Sequence, residues 1–182
     1  MGLTVLRDCI LGVWAAFWLY WLLAARGAKA SRGGRRRPTA GSWLILVVLV
    51  GLRIARPGGA LAHDVASGVA GAVLFAAGIA LAVRSRVVLG ANWGMPMTEK
   101  QEPELVTQGP YRLIRHPIYT GILLAMLGTA LAVSPYALIA FVLAGGYFIY
   151  SARVEEGIMS QTFPNDYPRY RARTKMLIPF VR

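Results

Sequence analysis

The sequence predicts an all-α, polytopic membrane protein with about five transmembrane helices. Three observations carry this expectation. Hydrophobic residues make up 56% of the 182 positions, and they run in long blocks instead of the short periodic pattern of a soluble core. The mean hydropathy is +0.50, with only 15% charged residues. The net charge of +12 lies mostly between the apolar blocks, as expected for loops facing anionic lipid. A nucleic-acid partner is not expected, because the basic residues show neither aromatic interleaving nor zinc-finger spacing. The single cysteine, Cys9, excludes an internal disulfide and any Cys-based metal cluster. No metal site is expected.

Taken in order, Leu3 to Ala25 is the first apolar block, with Cys9 to Ala25 as its spanning part after Arg7 and Asp8. Its basic residues come after the apolar run, unlike those of a signal peptide. Trp14, Trp18, Tyr20 and Trp21 read as interfacial or lipid-facing aromatics. Arg26 to Thr39 is a basic linker. Ser42 to Ile54 is a short second block whose flanking Arg53 and Arg56 must snorkel. Asp64, after His63, reads as a helix N-cap. Val65 to Val83 is the third block, and its Gly68, Gly71, Ala72 and Gly78 fall at helical spacing that permits close helix packing in lipid.

Arg84 to Arg115 is the longest polar segment. Its interleaved Val87, Leu89, Trp93, Met95, Leu105 and Val106 favour an ordered, functional loop. Ile118 to Val133 and Tyr136 to Tyr150 are the fourth and fifth spans, joined at Ser134-Pro135 as a helical hairpin. Ser151 to Arg173 turns polar, and Met176 to Phe180 is an apolar tail expected to dock back. The whole chain, 1–182, reads as one integral-membrane domain. Three N-terminal spans occupy 1–86; a loop, the hairpin and a C-terminal helix or tail occupy 87–182. Seventeen of the 20 Lys and Arg residues fall in three segments that share one side of this arrangement. The positive-inside rule then places the N-terminus outside and both polar segments and the C-terminus in the cytoplasm.

The chemistry concentrates at Gly109 to Gly121, where two arginines, a histidine and two tyrosines crowd the start of an apolar helix. Pro117 suits the first turn of that helix. Arg115 and His116 would then sit at its positive end beside unpaired N–H groups. Two readings are open: an anchor in lipid headgroups, or a site for an anionic group. The hairpin brings this point next to Arg153, Glu155 and Glu156. Ionisable groups at a membrane edge are costly and point to function, although the two acids also suit ion pairs with Arg112, Arg115 or Arg153. Acids with His, Tyr and Gly suit a zwitterionic or cationic small molecule with an aromatic part. No Walker loop, strand-borne Gly-x-Gly-x-x-Gly, Ser-His-Asp order or two-metal spacing is present.

Leu105-Val106-Thr107-Gln108-Gly109-Pro110-Tyr111-Arg112, followed by Arg115-His116-Pro117-Ile118-Tyr119-Thr120-Gly121, resembles the signature of the isoprenylcysteine carboxyl methyltransferase family. Glu155-Glu156, Phe163, Tyr167, Tyr170 and Leu177-Ile178-Pro179 resemble its C-terminal pattern, and Leu89-Gly90 with Trp93 also fits. The likeness covers roughly Leu89 to Phe180, about half of the chain. It implies an integral-membrane enzyme that uses S-adenosyl-L-methionine without a Rossmann fold and methylates a lipophilic or lipidated acceptor, with membrane lipids as its other partners. By the same resemblance, Glu104, Leu105, Val106, Tyr111, His116, Pro117, Ile118 and Tyr119 line the cofactor, and Glu155 binds its polar end. Arg153 would orient the substrate, and Glu156 would assist where the acceptor must lose a proton. The chain departs from the pattern in two places. Pro103-Glu104 stands where the family often has His, and Ser151 stands at the family's substrate-arginine position, with Arg153 nearby.

A carboxylate acceptor is ionised at neutral pH and needs no general base. An amine acceptor, as in related phospholipid methyltransferases, would need deprotonation, in which His116, Tyr119 or Glu156 would help. The competing expectations are an NADPH-dependent membrane reductase, which resembles this chain near Arg-His-Pro, and a non-enzymatic membrane scaffold.

Overall fold

The computed structural model describes residues 2–27, 65–94 and 103–178. The predicted second span, Ser42 to Ile54, and the His63-Asp64 pair lie outside these residues. Five α-helices are described: α1 (Gly2–Ala24), α2 (Val65–Leu89), α3 (Pro117–Ala132), α4 (Ala137–Thr162) and α5 (Asp166–Arg173). Three of these are long and apolar enough to cross a membrane, over Thr4–Ala24, Val65–Asn92 and Ala137–Thr162. They fit an integral membrane protein.

Helices α1, α2 and α4 each divide into an inner stripe and an apolar outer face. On α1, Ile10, Trp14, Phe17 and Trp21 are buried, while Val5, Val13, Leu19, Leu22 and Leu23 are exposed. The buried set recurs every three to four residues, which is one side of a helix. Trp14 and Trp21 therefore face the protein, contrary to their expected place at the lipid boundary. Trp14 lies in edge contact with Phe75, and its Nε1–H donates to Thr129 Oγ1 at 3.1 Å. Trp21 lies edge-on to Trp93. A ring this large gains more from interhelical packing and a satisfied N–H than from a place among lipid tails.

The bundle is built on α2 and α3. Gly71 and Gly78 of α2 meet Gly128 and Gly121 of α3. A Cβ on Gly71 would lie 2.6 Å from Ala132 N, and one on Gly121 2.6 Å from Ala82 N. The two backbones thus touch along a seam of small residues, the close approach that lipid-embedded helices use for dispersion contact.

Three predicted boundaries shift. The third span continues as helix to Leu89, so Arg84 and Arg86 belong to α2 and not to a loop. Arg86 is 5% exposed. It donates from Nη2 to Ala24 O at 2.7 Å and from Nη1 to Gly90 O at 2.8 Å, satisfying carbonyls that two helix ends leave open. Its guanidinium also lies 4.6 Å from the Trp93 ring centre. The fourth apolar block forms a helix of only 16 residues, about 24 Å long at 1.5 Å per residue. It is the most enclosed helix of the bundle, which explains its apolar character without a full crossing. The fifth continues past Tyr150 to Thr162, because 151–162 contains no proline and its polar side chains fit a helix end that leaves the apolar zone. Glu155 and Glu156 therefore ride on α4 instead of on a tail.

Gly90 and Gly109 have φ of 56° and 55°, turns that a Cβ would strain. The first succeeds α2 as a left-handed C-terminal residue. The second opens the 3-10 turn Gly109–Arg112. The expected return of the tail is present: Ile114 and Lys175 form an isolated parallel β-bridge, and Thr120 Oγ1 donates to Leu177 O at 2.6 Å.

Candidate functional site

The site forms where the start of α3, the last turns of α4 and the returning tail converge. Pro117 occupies the first turn of α3, with His116 at its N-cap. The N–H groups of the two residues that lead into it are paired. Arg115 N donates to Lys175 O at 2.8 Å and His116 N to Met176 O at 3.1 Å. Tail carbonyls thus occupy the N–H groups of Arg115 and His116, and the side chains facing them from α4 are the carboxylates Glu155 and Glu156.

Glu156 is 6% exposed and accepts a hydrogen bond from Arg115 Nε at 2.7 Å. His116 Nε2 and Arg171 Nε each lie 3.5 Å from its oxygens. The same Arg115 donates from Nη1 to Thr174 O at 2.5 Å and to Arg171 O at 3.3 Å. One buried ion pair thus ties α3, α4, α5 and the tail together, as the ion-pair reading of the acids anticipated with Arg115 as one of three candidates. Glu156, expected to assist in proton removal, has its oxygens turned to Arg115, His116 and Arg171.

Glu155 is the more open acid, with 26% of its side chain exposed against 8% for Glu156. The Tyr119 hydroxyl donates to Glu155 Oε1 at 2.5 Å, and His116 Nδ1 lies 3.4 Å from Oε2. The ring of Tyr119 stacks between His116, at 5.4 Å between centroids, and Phe148, at 4.5 Å. Burial pushes the His116 imidazole toward its neutral form, but hydrogen bonds and charge from Glu155 and Glu156 outweigh it and raise the pKa. His116 Nε2 is buried, and its contact with Glu156 Oε1 is long, at 3.5 Å, so a ligand acceptor could compete for it.

The remaining predicted residues fall around this centre. Tyr111 is buried. Its carbonyl accepts from the Tyr170 hydroxyl at 2.8 Å, and burial raises its own hydroxyl pKa strongly. Ile118 and Tyr119 belong to the core cluster, and Pro117 is fully enclosed. Leu105 and Val106 are half-buried. Glu104 is exposed and accepts from Asn92 Nδ2 at 3.2 Å. Arg153 is exposed on α4, apart from the Arg115–His116–Glu156 group. Sequence reasoning did not assign Phe148, Arg171 or Thr174 to the site. Phe148 was legible, since it lies eight residues before Glu156 on the buried Ala144–Phe148–Ala152–Glu156 stripe. Thr174 contributes through its carbonyl, which leaves no trace in residue type. Among the described residues, no group of three His, Cys, Asp or Glu suits a metal ion.

A family model described as phospholipid methyltransferase matches residues 66–166. The chain belongs to this family. The match contains α2 from its second residue on, α3, α4 and the whole Arg115–His116–Tyr119–Glu155–Glu156 group. Among curated proteins, the chain is similar to protein-S-isoprenylcysteine O-methyltransferase B of Arabidopsis thaliana, 34% identical over 84 residues, which is 45% of this chain and 43% of that protein. The A form from the same plant is 37% identical over 79 residues, covering 42% of this chain and 40% of that protein. The cobalt-zinc-cadmium resistance protein CzcN of Cupriavidus metallidurans is 31% identical over 98 residues, covering 52% and 45% respectively. The chain thus spans less than half the length of each of these relatives. The phospholipid methyltransferase family membership agrees with the resemblance carried by Leu105 to Gly121 and Glu155-Glu156.

Proposed function

We propose that the chain is a membrane methyltransferase that binds S-adenosyl-L-methionine at the His116–Tyr119–Glu155 cluster and methylates a lipophilic acceptor. The observation that carries the reading is Glu155, the partly open carboxylate held by Tyr119 at 2.5 Å beside the buried His116 ring, whose Nε2 makes only a long contact of 3.5 Å to Glu156. This donor and acceptor set fits the cofactor: a carboxylate for its ammonium or ribose hydroxyls, an imidazole nitrogen for a further hydrogen bond, and half-buried Leu105 and Val106 for an apolar wall. When bound, the cofactor supplies an electrophilic sulfonium methyl group. The chain's own contribution is positioning. The Arg115–Glu156 pair holds His116 and the end of α4 in register for the reacting groups.

The relatives' names suggest the carboxylate of an isoprenylcysteine-like molecule as acceptor, with exposed Arg153 to orient it. A lipid amine is the second reading. It is favoured by Ser151, a fully buried hydroxyl one turn before Glu155 in place of a substrate-orienting arginine. The cofactor site faces the cytoplasm, with the N-terminus outside, on the charge bias of the sequence.

Thermal unfolding of the purified protein in detergent tests the assignment. S-adenosylhomocysteine at ~100 times its dissociation constant should stabilise by about 2.7 kcal/mol. Stabilisation by NADPH instead selects a reductase, and by neither a scaffold. Glu155→Gln should weaken cofactor binding by calorimetry while the protein stays monodisperse; unchanged affinity makes Glu155 a structural group. Cysteines placed at Ser31 and Thr98 should be labelled only from the cytoplasmic side, and labelling from outside overturns the orientation.

A further inference from the structure

A second feature adjoins the methyl-transfer cluster and shares Leu105 with it. Between α5 and the extended segment 103–108 is a cleft of about 440 Å³, lined by Leu105, Thr107, Arg112, Asp166, Arg169 and Arg173 among others. Asp166, Arg169 and Arg173 fall three and four residues apart on one face of α5, while Arg112 approaches from the end of the 3-10 turn. All three arginines are exposed. Among the described residues, none of their guanidinium groups joins an ion pair. The cleft therefore carries three cations against one carboxylate. Like charges four residues apart, as at Arg169 and Arg173, disfavour a helix, and a helix of eight residues has little stability of its own. A counter-charge would relieve both.

Guanidinium forks suit phosphate oxygens, which they grip with paired hydrogen bonds. The position indicates where the phosphate comes from. The candidate span Ala137–Thr162 ends only a few residues before Asp166, so the arginines of the cleft closely follow a membrane helix in sequence, where basic side chains attract anionic headgroups, and Leu105 gives the cleft an apolar wall. We propose that this cleft binds the phosphate of an anionic lipid headgroup. The rest of α5 links the cleft to the catalytic region: Tyr167 is buried, the Tyr170 hydroxyl holds Tyr111 O, and Arg171 O accepts from Arg115. A lipid that steadies α5 thereby steadies Arg115 and Glu156.

The test uses the full-length protein in detergent at constant ionic strength, read by thermal unfolding, and needs no methyl acceptor. Dihexanoyl phosphatidylglycerol should raise Tm more than dihexanoyl phosphatidylcholine. The difference should vanish in R169Q/R173Q, shrink in Arg112→Gln, which leaves α5 unchanged, and persist in Arg7→Gln, which alters a cation outside the cleft. Equal shifts from the two lipids, or a shift retained in both cleft variants, would overturn the proposal. An equal shift from inorganic phosphate at the same concentration would overturn the lipid source and leave a small-anion site. Failure here leaves the methyltransferase reading untouched, because the cluster and the cleft are probed by different ligands.

Discussion

Arg115 Nε stands 2.7 Å from Glu156 Oε1, and the two side chains are 9% and 8% exposed. Breaking a buried pair by removing one partner leaves an uncompensated charge, at a cost of roughly 3–5 kcal/mol. Arg115→Met and Glu156→Gln should each lose stability on that scale in denaturant unfolding. Arg115→Met/Glu156→Leu should recover part of the loss, though not the bonds from Arg115 to Thr174 O and Arg171 O. Two single variants as stable as the parent would mean that the pair does not brace the site.

His116 should make stability depend on pH. Its folded pKa is raised by Glu155 and Glu156 despite burial. A group with a raised pKa stabilises fully below its ordinary value of about 6.5, and the contribution is lost as pH climbs through the folded value. Tm should therefore fall as pH rises above neutrality, and His116→Gln should flatten that slope. The same variant should lose cofactor affinity by roughly 5- to 150-fold, the equivalent of about 1–3 kcal/mol for an unpaired buried partner. A parent-like pH slope and affinity in the variant would reduce His116 to a headgroup anchor.

Tyr119→Phe separates the hydrogen bond from the stack. The ring stays between His116 and Phe148, but Glu155 loses its 2.5 Å donor. A hydrogen bond to a charged group contributes roughly 1.5–3 kcal/mol. The variant should unfold at lower temperature and bind S-adenosylhomocysteine more weakly, with near-native packing by near-UV dichroism. Unchanged affinity would leave Tyr119 with a packing role only.

Two glycines should respond in opposite directions. A Cβ on Gly78 would lie 2.5 Å from Gly121 O, so Gly78→Val must push α2 from α3 and should destabilise by about 1–3 kcal/mol or more. Gly12 has open space around its would-be Cβ, and Gly12→Ala should stabilise α1 by roughly 0.5–1 kcal/mol. Detergent unfolding of the two variants side by side checks both signs.

Much of this arrangement was legible in the chain itself. The apolar blocks announced helices because a lipid-embedded backbone must satisfy its own hydrogen bonds. The Gly71 and Gly78 spacing announced a close helix contact, and Pro117 announced the start of α3. The signature around Tyr111, His116 and Tyr119, with Glu155-Glu156, pointed to the cluster now seen across α3 and α4. The helix ends were less legible. Arg84, Arg86, Glu155 and Glu156 read as loop or tail residues by polarity alone, whereas a helix continues into the polar zone until a breaker such as Pro164 stops it.

By itself, then, the sequence determined the features that local composition and spacing dictate: which segments are helical, which face of each is small or apolar, and which residue types meet near the hairpin. Only the tertiary structure decided the pairings. It chose Arg115 over Arg112 and Arg153 as the partner of Glu156. It turned Trp14 inward to Thr129, and set Arg86 across the ends of α1 and α2. It also filled the open donors at Arg115 and His116 with the carbonyls of Lys175 and Met176. The reason is physical. A helix forms from near neighbours, whose pattern is written in the chain. A partner sixty residues away is selected by geometry and desolvation, and when the contact is made by backbone carbonyls, no side-chain identity records it.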